Sequence, residues 1–372
     1  MSMKSYQIKS FALKAALVIS TVIIILWFSN NVAENMAILG LKPGFDFLTR
    51  NTHFDVTSGF WQISRDDLNY QTIYAGLTNT IIVSIIGIIL STLLGFTVAL
   101  MGLSDNWLMK KTTSSFVETF RNIPLVAQIL FWYNTMLFSL PKIHQSINIA
   151  DKFFLNNRGF YLPKITPSLS LILLIGSFTI IFYLQKKVRL KYGYYLIMGL
   201  LIFIFYIIPT LTSTKWFYYS YPSISGFNFA GGSHLAPEFS ALLVGLTLYT
   251  SAYTAEAIRS GLQSVPKGQY EASLSLGLSY WTTLKKVIVP QAIPVIIPPL
   301  LNQYLNLTKN SSLGIVVAYP EIMAMFAGTV LNQTGNAIEI ISITMAIYLT
   351  ISLLMSMLIN YVNGRYKSWM NK

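Results

Sequence analysis

Five ionisable residues of this 372-residue chain, Glu118, Arg121, Glu256, Lys309 and Glu339, fall inside or beside long apolar runs. A charge at bilayer depth costs about 2.5–3.5 kcal/mol on insertion scales, so such groups face a cavity or a partner. Glu118 and Arg121 stand three residues apart on one helix face, where they can pair with each other. Equally, the fork of an arginine suits a carboxylate, which it binds bidentately. Gln128, Asn310, Ser311 and Ser312 add hydrogen-bond donors. The set offers anions for an ammonium and donors for a carboxylate, the chemistry of holding a small zwitterion. Pro124 and the group Pro294, Pro298 and Pro299 can bend their helices and free carbonyls toward a cavity.

Chemistry that makes or breaks bonds has no comparable foothold. Cysteine is absent, which removes disulfides, thiolate nucleophiles and cysteine metal sites. His53, His144 and His234 fall in hydrophilic loops at unrelated spacing, unlike metal ligands. No nucleophile elbow or zincin motif occurs. No G-x-x-x-x-G-K-[ST] loop is present to cradle ATP phosphates. The expectation is a chain that is not an enzyme, with no catalytic residues, no metal and no cofactor of its own.

The elements that must position these residues are apolar helices. The chain is 53% hydrophobic and only 10% charged, against about 25% charged in soluble domains. A bilayer core about 30 Å thick needs roughly 20 apolar residues in a helix. Stretches at about 11–28, 72–103, 115–140, 167–184, 192–211, 239–258, 293–317 and 337–361 qualify, which predicts a polytopic, all-α membrane protein of about eight transmembrane helices. The first has a basic lead of Lys4, Lys9 and Lys14 but no clear small-x-small cleavage site, so it reads as a retained anchor. A formal charge of +13 would suggest nucleic acid in a soluble protein, but here the basic residues are interleaved with the spans and report orientation. With the N-terminus inside, basic residues favour the cytoplasmic segments roughly two to one, and the tightest cluster is Lys186, Lys187, Arg189 and Lys191. Both termini are therefore expected in the cytoplasm. Three outer loops, 29–71, 141–166 and 212–238, are long. The first is acidic on balance and carries Phe45, Phe47, Phe54, Phe60 and Trp61, which serve either as a docking surface or as anchors at the headgroup layer.

Between the sixth and seventh spans runs AEAIRSGLQSVPKGQYEASLSLGLSYWTTLKKVIVPQAIP, residues 255–294. Ser264 and Pro266 suit a helix start, the run to Leu276 is helical in propensity, and Gly277 is placed to end it in a left-handed conformation. A second short helix over 279–287 is expected to stop before Pro290. Two short helices joined at a glycine make a slim knob with Glu271 as its charged handle.

Glu271, Ala272, Ser273, three residues, Gly277, nine residues and then 287–290 resemble the EAA signature of importer permeases of the ATP-binding-cassette class. Ser273, Val287 and Val289 depart mildly from it and keep small or apolar character. The flanks, with Tyr253, Ala255, Glu256, Arg259, Gly261, Val265, Gly268 and Gln269, are similar to the polar amino acid permeases, and Glu118, Arg121, Pro124, Gln128 and 302–313 extend the match. A minimal member has five spans. The added first span and the pair over about 167–211 resemble the general L-amino-acid permeases.

That resemblance implies a type I importer permease fold with three parts: an anchor helix and outer loop over 1–71, a transmembrane domain over 72–361 with the helix pair inserted at about 167–211, and a cytoplasmic tail over 362–372. It implies a multi-pass subunit of the bacterial cytoplasmic (inner) membrane that moves polar L-amino acids into the cell, driven by ATP hydrolysis on another polypeptide. Gly268, Gln269, Glu271, Ala272, Ser273, Gly277 and Pro290 would form the ATPase-coupling loop, and Glu118, Arg121, Gln128, Glu256, Lys309, Asn310 and Ser311 would line the substrate path. The implied partners are an ABC ATPase dimer that binds ATP and Mg, a second related permease or a second copy, an extracytoplasmic solute-binding protein, the amino acid and the bilayer, with no nucleic acid. The alternatives are a stand-alone secondary amino acid transporter and a permease for opines or other small polar solutes.

Overall fold

The computed structural model describes residues 3–38, 44–167, 217–226 and 228–370, with Gly199. The chain divides into two compact units, 1–85 with 257–372, and 86–256. Among the described residues the helices are α1 (Met3–Ile38), α2 (Asn69–Leu103), α3 (Trp107–Asn122), α4 (Leu125–Ser139), α5 (Pro237–Gln263), α6 (Lys267–Ser275), α7 (Tyr280–Thr283), α8 (Val289–Asn310), α9 (Leu331–Thr334) and α10 (Ala337–Met370). Among the described residues, five stretches are long and apolar enough to cross a membrane: Lys14–Val32, Asn69–Leu103, Pro237–Gln263, Tyr280–Val317 and Ala337–Tyr361. They correspond to the first, second, sixth, seventh and eighth expected spans. The helix pair expected at about 167–211 lies almost wholly outside the described residues.

Apolar side chains of α1 from Leu17 to Phe28 are mostly exposed, as expected of a helix whose solvent is lipid rather than protein.

Proline accounts for two departures from the expected spans. The third span is broken into α3 and α4 at Pro124, which has no N–H to give to the carbonyl of Phe120 four residues back. The amide of Gln128 takes its place, donating to the carbonyls of Phe120 and Ile123 at 3.0 Å each. At Pro290 the outcome is the reverse: the helix does not stop. A π-helical turn over Leu284–Ile288 precedes α8 and carries the chain past the missing donor.

The second and third expected outer loops carry β strands, whereas in the first α1 continues to Ile38 and, among the described residues, the only β pairing is two isolated bridges, Asn51 to Leu68 and Val56 to Ile63. Strands β1 (Ile147–Ile149), β2 (Phe153–Asn156), β3 (Gly159–Leu162) and β8 (Ser233–Leu235) form an antiparallel sheet in the order β1-β2-β3-β8. Strand β4 (Lys164–Pro167) pairs with β5 (Phe217–Ser220), and β6 (Ser223–Ser225) with β7 (Asn228–Ala230). These segments are rich in isoleucine, phenylalanine and tyrosine, which favour pleated structure. The three-residue β1–β2 loop turns on Ala150 and Asp151, both with positive φ, and Lys152 N–H donates to Ile149 C=O at 3.3 Å across the turn. A helical membrane protein thus carries a small β appendage.

Candidate functional site

The EAA-like segment is a short lever held at both ends. Helix α6 ends in a paired hydrogen-bond cap: Gly277 N–H donates to Leu274 C=O at 2.9 Å, and Leu278 N–H to Ser273 C=O at 3.2 Å. That geometry needs a left-handed residue, and Gly277 sits at φ +75°. Ser273 is buried and its hydroxyl donates to the carbonyl of Gln269. The side chain of Gln291 donates to that of Gln269 at 3.2 Å, tying α6 to the first turn of α8. Tyr270 meets Tyr280 edge to face at 6.3 Å. On the N-terminal side, Gly261 lets α5 and α8 approach so closely that a Cβ there would lie 2.2 Å from Ile296 Cγ1.

What this lever presents is unusual for a polar loop. Leu276 is 80% exposed and Trp281 73%, with Leu274 and Tyr280 also exposed. Gly268, Gln269, Glu271, Ala272 and Gly277 lie on the exposed surface as well, and Pro290 is half-buried. A cluster of large apolar side chains on so small a projection marks a contact surface. The residue pattern located the loop; which side chains project depended on the turn at Gly277.

The expected path residues divide between the two units. In the unit 86–256, Glu118 and Arg121 are exposed but do not pair. Glu118 accepts from the Ser114 hydroxyl at 3.3 Å, and the Arg121 guanidinium lies 5.0 Å from the ring centre of Tyr253, a cation–π contact. The Tyr249 hydroxyl donates to that of Tyr253 at 3.4 Å. Gln128 is buried, its donor caps the α3 end, and its Oε1 has no partner among the described residues. Glu256 is half-buried on α5. In the other unit, Lys309 is exposed, Asn310 half-buried and Ser311 fully buried, with its hydroxyl donating to Thr308 C=O at 2.7 Å. Glu339 lies in the first turn of α10, where the helix dipole favours an anion. It accepts from Gly44 N–H at 2.8 Å.

Beyond α8 lies a buried polar hub that sequence reasoning missed. Asn79 on α2 donates to Pro320 C=O at 2.7 Å and accepts from Phe60 N–H at 2.9 Å, while Tyr319 donates to its carbonyl at 3.1 Å. Glu321, fully buried, accepts from Met323 N–H and Ala324 N–H at 2.7 Å each and from the Tyr348 hydroxyl at 2.9 Å. Phe47 packs against Phe326 beside it. The signal available in the sequence was Pro320-Glu321 ahead of an apolar run, the pattern of a carboxylate at a helix start. In the 44–68 segment, Arg65 bonds Asp55 and holds its carboxyl below the usual carboxylate range, and Asp55 in turn raises the guanidinium.

Three comparisons bear on this arrangement. The profile of the family described as "Binding-protein-dependent transport system inner membrane component" matches residues 87–368. The putative amino-acid ABC transporter permease protein YhdX of Escherichia coli (strain K12) is 40% identical over 96% of this chain and 94% of its own length. The general L-amino acid transport system permease protein AapQ of Rhizobium johnstonii is 37% identical over 91% of this chain and 87% of its own. Among solved structures, that titled "Crystal structure of an amino acid ABC transporter with histidines" superposes with a TM-score of 0.51 at 23% identity. It covers 80% of this chain and 94% of that one, a likeness of fold.

Proposed function

The chain belongs to the family of binding-protein-dependent transport system inner membrane components, and on that premise we propose that it is the membrane-spanning subunit of an ATP-binding-cassette importer that brings polar L-amino acids into the cell. Relatives similar along nearly the whole chain are amino-acid permease proteins by name, which supports the cargo. The observation that carries the mechanism is the exposed knob around Leu276 and Trp281, held between α5 and α8.

In this reading the knob faces the cytoplasm, as do both termini, and sits in a groove of a separate ATPase subunit that binds ATP and Mg. Closure of the ATPase dimer pushes on the knob, and α8, which follows it through an unbroken helical run, carries the displacement into the membrane. A two-state lever of this kind works only if its contacts differ between the states. A second related permease, or a second copy of this one, completes the path, and an extracytoplasmic solute-binding protein delivers the cargo. This chain itself performs no chemistry. In the unit 86–256, Arg121 supplies a donor for the carboxylate of a passing amino acid and Glu118 and Glu256 anions for its ammonium; in the other unit, Lys309 and Asn310 supply donors. Gln128 and Ser311 support the path from behind by fixing backbone.

The test is purification and reconstitution. The chain is expected to copurify with an ATPase, and proteoliposomes holding the complex and its binding protein are expected to accumulate amino acids only when ATP is supplied. Accumulation by this chain alone, driven by an ion gradient, would overturn the reading.

A further inference from the structure

Among the described residues, a cavity of about 340 Å³ lies between the segment Ser311–Val317, the π-helical turn Met323–Val330 and α10. That volume is within the roughly 300–1,000 Å³ usual for small-molecule sites. Met323, Ala327, Ile341 and Met345 give it an apolar lining, and Ser312 and Tyr348 are polar members of its wall. The Tyr348 hydroxyl is committed to Glu321, and both oxygens of Glu321 are engaged. The cavity therefore offers apolar surface rather than a free charge. Two methionines make that surface adaptable, since an unbranched thioether fits side chains of different shape.

One helical turn before Ser312 stands Lys309. Its side chain is exposed and has no ion-pair partner among the described residues. It lies within the run Tyr280–Val317, long and apolar enough to cross a membrane, where an unpaired ammonium is costly and an anion beside it offsets that cost. The spacing of three residues puts Lys309 and Ser312 on one face, and the Ser312 hydroxyl donates to the Lys309 carbonyl at 2.8 Å. A cation and an apolar cavity on one face complement a molecule with a carboxylate at one end and a hydrocarbon group at the other.

We propose that this cavity receives the side chain of an amino acid whose carboxylate is held by Lys309. The ligand class is an amino acid with an uncharged side chain, up to and including the larger aliphatic ones. An acidic or basic side chain would be disfavoured because a charge buried there would meet no partner. This assignment rests on the importer reading and widens its cargo from polar amino acids to uncharged aliphatic ones.

The experiment is direct binding of radiolabelled glycine and L-leucine to the whole transporter in nanodiscs, without the binding protein. Ala327→Phe fills the cavity and is expected to weaken L-leucine roughly tenfold or more while glycine stays within about twofold. Lys309→Met is expected to weaken both amino acids by about tenfold, since both lose the charged partner of the carboxylate. Should Ala327→Phe fail to assemble, Met345→Trp at the exposed rim asks the same question without touching the core, and the same ratio change is expected. Equal loss of both ligands on narrowing the cavity, or full binding of both by Lys309→Met, overturns the site. Failure of the unmodified complex to bind or import any amino acid overturns the importer reading itself, so the two failures are told apart.

Discussion

The segments 267–288 and 311–348 flank the 22-residue helix α8, which spans about 33 Å at 1.5 Å per residue. The first is secured by its flanks and offers Leu276, Tyr280 and Trp281 outward. The second turns its polar groups inward: Asn79, Thr80, Ser311 and Glu321 are fully buried, and their hydrogen bonds join α2, α10 and the turn at Pro320. An end whose contacts lie within the chain can serve as a fixed seat, while an end with unsatisfied apolar surface needs another molecule to complete it. In the proposed importer, one helix between the two would transmit a push from the incomplete end against the fixed one.

Three substitutions test this contrast. The largest effect is expected at the seat. Glu321→Ala leaves two backbone N–H groups and the Tyr348 hydroxyl without their acceptor, a loss on the order of 3 kcal/mol, read as a lowered melting temperature of the purified complex. A variant that melts with the parent would remove the distinction between the two ends. Next comes Gly277→Asp, which forces a side chain into the left-handed region at about 1–2 kcal/mol of strain and puts a charge on the docking tip. Uptake should fall roughly tenfold or more, while membrane insertion and melting temperature stay near the parent's; equal loss of stability would mean that the knob is a structural element. The smallest effect is expected at Asp55→Ala, which removes the exposed pair with Arg65. Because Arg65 depresses the Asp55 carboxyl, the contact is intact above the ordinary carboxylate pKa and is lost as the pH falls below about 4. Hydrogen exchange at the Arg65 amide, which donates to Asp55, should be faster in the variant at neutral pH and converge with the parent's in acid.

The contrast also explains what was legible in the sequence. Glu271, Gly277 and Pro290 form a spaced pattern within one short stretch of chain, and five spans among the described residues were visible as apolar runs of sufficient length. Asn79 and Glu321 carried no such pattern, because their partners are backbone groups far away in sequence. The break at Pro124 was foreseeable, but its repair by Gln128 was not: a glutamine reads as a free donor until the carbonyl missing its donor is placed beside it. Continuity through Pro290 depended on a π-helical turn that propensity does not signal. The β strands were hidden because their hairpins are short and lie where apolar content marks only the spans.

The most direct measurement exploits the absence of cysteine from the chain. Leu276→Cys places a single thiol at the tip of the knob, to be labelled with a membrane-impermeant maleimide in vesicles of defined orientation, with and without the ATPase subunit. Labelling from the cytoplasmic face alone, suppressed when the ATPase is bound, is the predicted result. Labelling from the outer face, or labelling that the ATPase does not affect, would contradict the account.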